Sequence, residues 1–229
     1  MKPTVPAQPV TIAVDATEEV SGLLLLPAAA RACFVFAHGA GGGMTHPFMS
    51  AFASELADRG IATLRYQFPY MERGSRRPDA PQVAHATVRA AVTAASGLAP
   101  GLPLFAGGKS FGGRMTSQAQ AAAPLPRVRG IVFVGFPLHP AGKPADARAA
   151  HLFDLRIPML FLQGTRDELA GLELLRPMVE RLDARATLAV ADDADHAFHV
   201  PARTGRRDGE VLAELANVTA RWMRAMAPN

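Results

Sequence analysis

Leu104-Phe105-Ala106-Gly107-Gly108-Lys109-Ser110-Phe111-Gly112-Gly113 decides how this chain is read. A short apolar run enters Gly-x-Ser-x-Gly, and the residues after it read as a helix. A serine on a sharp strand-to-helix turn is held in a strained backbone geometry. Its neighbours two positions away must be nearly free of side chain, because strand and helix approach closely there. Gly108 and Gly112 meet that demand. The Ser110 hydroxyl is then pushed out at the end of a sheet, beside the first free N–H groups of a helix, which is where a nucleophile is expected. Gly-Lys-Ser after a strand also suggests a phosphate-binding loop. That motif needs glycine five residues before the Gly-Lys pair, and Pro103 stands there.

Outward from this segment, strand-like and helix-like stretches alternate. Val10–Val14 and Val20–Leu26 read as an opening hairpin. Cys33–Ala37 is a buried strand that runs into His38-Gly39-Ala40-Gly41-Gly42-Gly43. Pro47 suits the first turn of a helix in which Phe48, Phe52 and Leu56 recur at four-residue spacing, and Gly60 ends it. Ile61–Tyr66 is the next strand, Gln67–Pro81 a long polar loop and Gln82–Leu98 a helix of small residues. Leu102–Ala106 precedes the turn at Ser110, and Phe111–Ala122 is the helix after it. Strands at Ile131–Val134, Pro158–Leu162 and Ala186–Val190 alternate with helices near Asp146–Leu155, Leu172–Leu182 and Glu210–Met223. Such alternation calls for a mostly parallel, doubly wound α/β sheet of about eight strands covered on both faces. Function is then expected at the C-terminal edge of the strands.

Composition restricts the partners. The chain has 229 residues, 49% hydrophobic and 19% charged, which suits one folded domain and excludes a disordered chain. The net charge of +4 is carried by scattered arginines with no aromatic-interleaved basic stripe, so no nucleic-acid partner is expected. No stretch approaches the ~20 apolar residues of a membrane span, and Met1–Asp15 lacks an apolar core of signal-peptide length. A cytoplasmic protein is expected. The single cysteine, Cys33, cannot form an internal disulfide and reads as a small buried hydrophobe.

A serine hydroxyl is a poor nucleophile without a base. Of seven histidines, His196 lies in the loop after the last strand, with His199 as its near rival. The base needs an acid that fixes its tautomer. Asp167 follows the strand Pro158–Leu162 through a tight turn and can approach the imidazole from the side. Asp192, Asp193, Asp195 and Glu168 are its rivals. The oxyanion needs two N–H donors. One is expected from Phe111 at the helix start. The second is expected from the glycine-rich loop, from Ala40 with Gly41 as the alternative. That loop fails as a dinucleotide fingerprint because Met44 stands where glycine or alanine is required. His38 is expected to brace the loop.

His38-Gly39-Ala40-Gly41-Gly42, Gly108-Lys109-Ser110-Phe111-Gly112 and the Asp167 and His196 loops, in that order, resemble the α/β-hydrolase family. The similarity runs from about Val20 to Met223 and is greatest to the small, lid-poor dienelactone-hydrolase group, whose typical members carry a cysteine where this chain has Ser110. The resemblance implies a single domain over 1–229 with a flexible N-terminus at 1–8 and a minimal lid, a monomer or homodimer. It also implies a cofactor-free, metal-free, carboxylesterase-like serine hydrolase using Ser110, His196 and Asp167 on a small-molecule acyl ester, thioester or amide. A non-catalytic binding scaffold and a small peptidase are the alternatives. The loop Gln67–Asp79 is expected to shape the substrate entrance. Phe68, Tyr70 and Met71 would form an apolar wall there, and Arg73 with Arg76 and Arg77 would attract an anionic substrate.

Overall fold

The computed structural model describes residues 6–227. Its centre is an eight-stranded sheet in the order β1-β2-β4-β3-β5-β6-β7-β8. The strands are β1 (Gln8–Ala13), β2 (Glu19–Leu25), β3 (Ala32–Ala37), β4 (Ile61–Tyr66), β5 (Leu104–Lys109), β6 (Val128–Val134), β7 (Met159–Gly164) and β8 (Ala186–Ala191). β1 pairs antiparallel with β2, and β2 antiparallel with β4. Every other pairing is parallel. Every residue of β3, β4 and β7 is buried, as expected of strands covered on both faces, and only β3 is apolar throughout: Thr63 and Arg65 on β4 and Gln163 on β7 are buried polar residues.

The helices are α1 (Pro47–Ala57), α2 (Pro69–Glu72), α3 (Pro81–Leu98), α4 (Phe111–Ala122), α5 (Leu172–Arg181) and α6 (Asp208–Ala225). Proline occupies the first turn of α1, α2 and α3, where its missing N–H is no loss and its fixed φ suits the helix. α1 and α6 cover one face of the sheet, packing Phe52, Leu56, Leu215 and Trp222 on Phe34, Phe36 and Phe105. α3, α4 and α5 cover the other, where Val88, Val92, Met115 and Leu175 meet Val35, Leu64 and Phe161. Cys33 faces this second side and is fully buried, and burial pushes its thiol pKa up to about 12.

Several boundaries differ from the sequence reading, each for a physical reason. Gln8 already pairs with Leu24, so the sheet begins inside the segment expected to be flexible, and residues 1–5 lie outside those described. β5 continues through Gly107 and Gly108 to Lys109, because its partners β3 and β6 carry the ladder past the point where apolar residues stop. The loop after β4 contains α2, a single turn started by Pro69. The segment near 146–155 is 3-10 rather than α-helix, at Ala147–Asp154. Among the described residues no helix is long and apolar enough to cross a membrane.

Phe52 is fully buried between α1 and the sheet, where it meets Phe36 and Phe48 at 5.6 and 5.8 Å between ring centroids. Phe52→Ala removes that ring and leaves a cavity. It is expected to lower the unfolding free energy by about 3–5 kcal/mol, read from urea denaturation at unchanged slope.

Candidate active site

β5 delivers its chain to the C-terminal edge of the sheet, and α4 departs from it at once. Ser110 sits between them with φ 50° and ψ −115°, a conformation that a residue with a side chain adopts only under constraint. The constraint is visible in its backbone: the Ser110 N–H donates to Val134 O at 3.0 Å, and Ser110 O accepts the Arg114 N–H at 3.2 Å. The glycines on either side leave no room for anything larger. A Cβ at position 108 would lie 2.5 Å from Ala37 O, and one at 112 would lie 2.5 Å from His38 O.

The loop after β8 brings His196 over this turn. Its Nε2 is 2.8 Å from Ser110 Oγ, and its Nδ1 is 2.7 Å from Asp167 Oδ2. Asp167 comes from the loop after β7, and its side chain is wholly buried. Its Oδ1 accepts the Leu169 N–H at 2.8 Å, and its Oδ2 also accepts an N–H of Gln163. Gln163 is itself buried on β7 and held by the Phe136 N–H. With its carboxylate partner on Nδ1, the imidazole carries its proton there and leaves Nε2 bare to accept the serine proton.

The rivals are occupied elsewhere. Asp195 Oδ1 accepts the N–H groups of Ala197 and His199 in its own loop. His199 is exposed and pairs with Asp208 at the start of α6, which raises its pKa above the ordinary histidine value. His151 meets Ser117 Oγ on α4, and His139 meets Pro140 O. Asp192 and Asp193 have no hydrogen bond to His196 among the described residues.

The glycine-rich loop after β3 passes over the same point, and two buried side chains hold it from below. His38 accepts the Phe68 N–H at Nε2 (3.1 Å), so its proton lies on Nδ1 and is donated to Gly39 O at 2.7 Å. Burial holds the ring neutral by lowering its pKa to about 4. Tyr70 Oη donates to Ala40 O at 2.8 Å. In a trans peptide the N–H points opposite to the C=O. Fixing Gly39 O and Ala40 O from the core side therefore turns the Ala40 and Gly41 N–H groups away from His38 and Tyr70. Ala40 and Gly41 line the cavity over Ser110. Among the described residues these two N–H groups, and that of Phe111, have no intramolecular acceptor. Ala40 and Gly41 therefore present donors where an oxyanion would form.

The cavity holds about 390 Å³. Its walls beyond the loop are His46, Phe48 and Met49 at the start of α1, together with Leu169, Ala197 and the Lys109 side chain. This corrects the expectation for the segment after β4. Phe68 and Tyr70 are buried, at 0% and 1% exposure, because the single turn of α2 folds them down onto His38 and Phe111. Met71 is packed against the same core. Arg73 points to the surface and pairs with Glu18 at 3.4 Å and Asp79 at 2.6 Å. None of these four lines the cavity. Phe48 was read with Phe52 and Leu56 as one apolar helix face, and spacing alone does not separate a core position from a pocket wall. Gln163 did leave a sign: a polar residue at the end of an otherwise apolar strand, four positions before Asp167.

A family model described as an alpha/beta hydrolase domain matches residues 30–224. A dienelactone hydrolase from Anabaena variabilis is similar in structure, with a TM-score of 0.78 at 21% identity over 97% of this chain and 98% of that one. A lidless serine hydrolase of the same fold from Xanthomonas campestris gives 0.74 at 21% identity over 97% of each chain. An esterase domain from Rhodothermus marinus gives 0.73 at 18% identity over 96% and 98%. At such identities the likeness is one of fold.

The crowding at Gly108 involves backbone that has nowhere to move. Gly108→Ala is expected to destabilise the protein by about 3 kcal/mol, the upper range for overpacking, whereas Gly97→Ala, in open space on the exposed side of α3 and with no positive φ, is expected to cost far less. Urea unfolding of the pair checks the difference.

Proposed function

The chain belongs to the alpha/beta hydrolase family and is a hydrolase, and from that premise we propose that it cleaves carboxylic esters of small molecules through a Ser110–His196–Asp167 triad and an acyl-enzyme. The observation that carries this reading is the unbroken hydrogen-bond line from Asp167 through His196 to Ser110, at 2.7 and 2.8 Å.

The chemistry follows from that line. Ser110 Oγ attacks the acyl carbon while His196 Nε2 takes its proton. The carbonyl oxygen becomes an oxyanion and is met by the Phe111 N–H and by the N–H groups of Ala40 and Gly41. His196 then gives its proton to the departing alkoxide oxygen, leaving an acyl ester on Ser110. Water repeats the sequence with His196 as base, releases the acid and restores the serine. Asp167 holds the tautomer throughout and stabilises the imidazolium. No cofactor or metal takes part in this scheme. The walls formed by Phe48, Met49 and Leu169 are apolar, which favours a small hydrophobic acyl or alcohol group over a charged one. The same proposal places its action in the cytoplasm.

Ser110→Ala is expected to keep the fold and to lower the hydrolysis of p-nitrophenyl esters by as much as about a million-fold. A fluorophosphonate should form its adduct on Ser110 of the unaltered protein. An adduct mapped by mass spectrometry to another residue, or turnover retained in the variant, would sink the reading.

Asp167→Asn is expected to reduce turnover by about ten-thousand-fold through the wrong tautomer of His196. Asp193→Asn should leave turnover within a few-fold, as should Asp192→Asn. The two sets of rate constants, measured on one ester, decide which carboxylate serves the base.

A further inference from the structure

Lys109 is a half-buried cation that the mechanism above does not use. It is the last residue of β5 and the immediate neighbour of Ser110. Its stem lies along the cavity beside Gly39, and its ammonium reaches beneath the base loop. There Nζ donates to His196 O at 2.7 Å. Around it stand the rings of Phe48 from α1 at 6.0 Å and Phe198 from the base loop at 5.6 Å. Gly135, at the end of β6, closes the remaining side, and a Cβ there would lie 3.2 Å from Nζ. The carboxylates that face it are Asp167 from the loop after β7 and Asp195 from the base loop, and neither comes within ion-pair distance. An ammonium in such a place is costly unless its hydrogen bond does something in return.

What it holds is one peptide group. The His196 C=O is taken by Lys109, and the N–H at the other end of the same peptide, that of Ala197, is taken by Asp195 Oδ1 at 2.8 Å. With both ends fixed the peptide plane cannot rotate, and the backbone torsion beside the His196 side chain is fixed with it. One of the two anchors is covalently next to the nucleophile. We propose that Lys109 is a positioning residue: its ammonium clamps the His196–Ala197 peptide and so sets the distance at which the imidazole meets Ser110. The inference rests on the triad reading above.

The charge matters as well as the contact. A charged donor makes a shorter and stronger hydrogen bond than a neutral one. Burial lowers the Lys109 pKa from 10.5 to about 8, against the opposing pull of Asp167 and Asp195. Below about pH 8 the clamp is charged. Above it, the amine is neutral and the clamp loosens, so turnover falls on the alkaline side. Stability moves the other way. The folded pKa lies below that of the unfolded chain, so between about pH 8 and 10.5 the unfolded state binds more protons, and this group's contribution to stability rises with pH across that window.

The test is the second-order rate of fluorophosphonate labelling at Ser110 from pH 6 to 9.5, with Tm measured alongside. Wild-type protein should label fastest near neutrality and lose rate above about pH 8. Lys109→Met, which keeps most of the length and removes the charge and its hydrogen bond, should fold. At pH 7 it should label about ten- to a hundredfold more slowly, since small misplacements of a base have effects of that size, and it should lack the alkaline fall. Its Tm should equal or exceed that of wild type at pH 7, with the gap narrowing between pH 8 and 10.5. Lys109→Arg should retain most of the neutral rate and carry it unchanged to pH 9.5. A Met variant that labels at the wild-type rate, or an Arg variant with the wild-type alkaline fall, overturns the clamp while leaving the triad standing. Wild-type protein that never labels at Ser110 overturns the triad reading itself, and the clamp with it.

Discussion

The closeness of three backbone segments, β3, β5 and the start of α4, is the constraint on which the site depends. At Gly108 and Gly112 the neighbouring carbonyl oxygens stand where a Cβ would otherwise go. This close approach forces Ser110 into its positive φ, and it brings the loop after β3 against the elbow. The strain at Ser110 is balanced by the parallel ladder, since its own N–H continues the bonding of β5 to β6 through Val134 O. The reactive geometry is thus an extension of the sheet, and the packing that stabilises the fold also presents the hydroxyl.

Around that point every loop is tied down by groups from beneath. The glycine-rich loop rests on His38 and Tyr70, and its further end on Gln67, whose Oε1 accepts the Met44 N–H at 2.8 Å. Arg65, almost wholly buried on β4, donates to Met44 O and to Ser50 Oγ, joining the loop to α1. The acid is seated by Gln163 and Leu169, and the base loop by Asp195. These supports are polar groups paired inside the protein, where a satisfied hydrogen bond is rigid and an unsatisfied one is costly. The site is preorganised by its underside, while its upper side is the open cavity.

Much of this was legible in the chain. Gly-x-Ser-x-Gly after an apolar run carries its own geometric meaning, and the alternation of strands and helices locates the ends at which Asp167 and His196 must emerge. The braces were less legible. Phe68, Tyr70 and Met71 read as a pocket wall because they lie in a segment leaving the functional edge. Their actual direction is set by one helical turn at Pro69 and by contact with His38, neither of which has a periodic signature. Phe48 shows the converse. Its four-residue spacing with Phe52 is real, and the two rings stack, but the helix start projects past the sheet, so one faces the core and the other the cavity. Patterns record which side of an element is apolar, and they are silent about where the sheet beneath it stops.

Cys33 illustrates how a core position determines what can be done to the whole molecule. Its sulfur is enclosed near the start of β3 with a pKa of about 12, so almost none of it is thiolate at neutral pH and reagents cannot reach it. The native protein is therefore chemically silent toward maleimides and mild oxidants as long as it stays folded. A cysteine placed at an exposed position would be the single addressable thiol, and a spin label or fluorophore could be attached there without first removing a native side chain. The same silence makes Cys33 a built-in alarm: its modification in the absence of denaturant would report that the central sheet had opened.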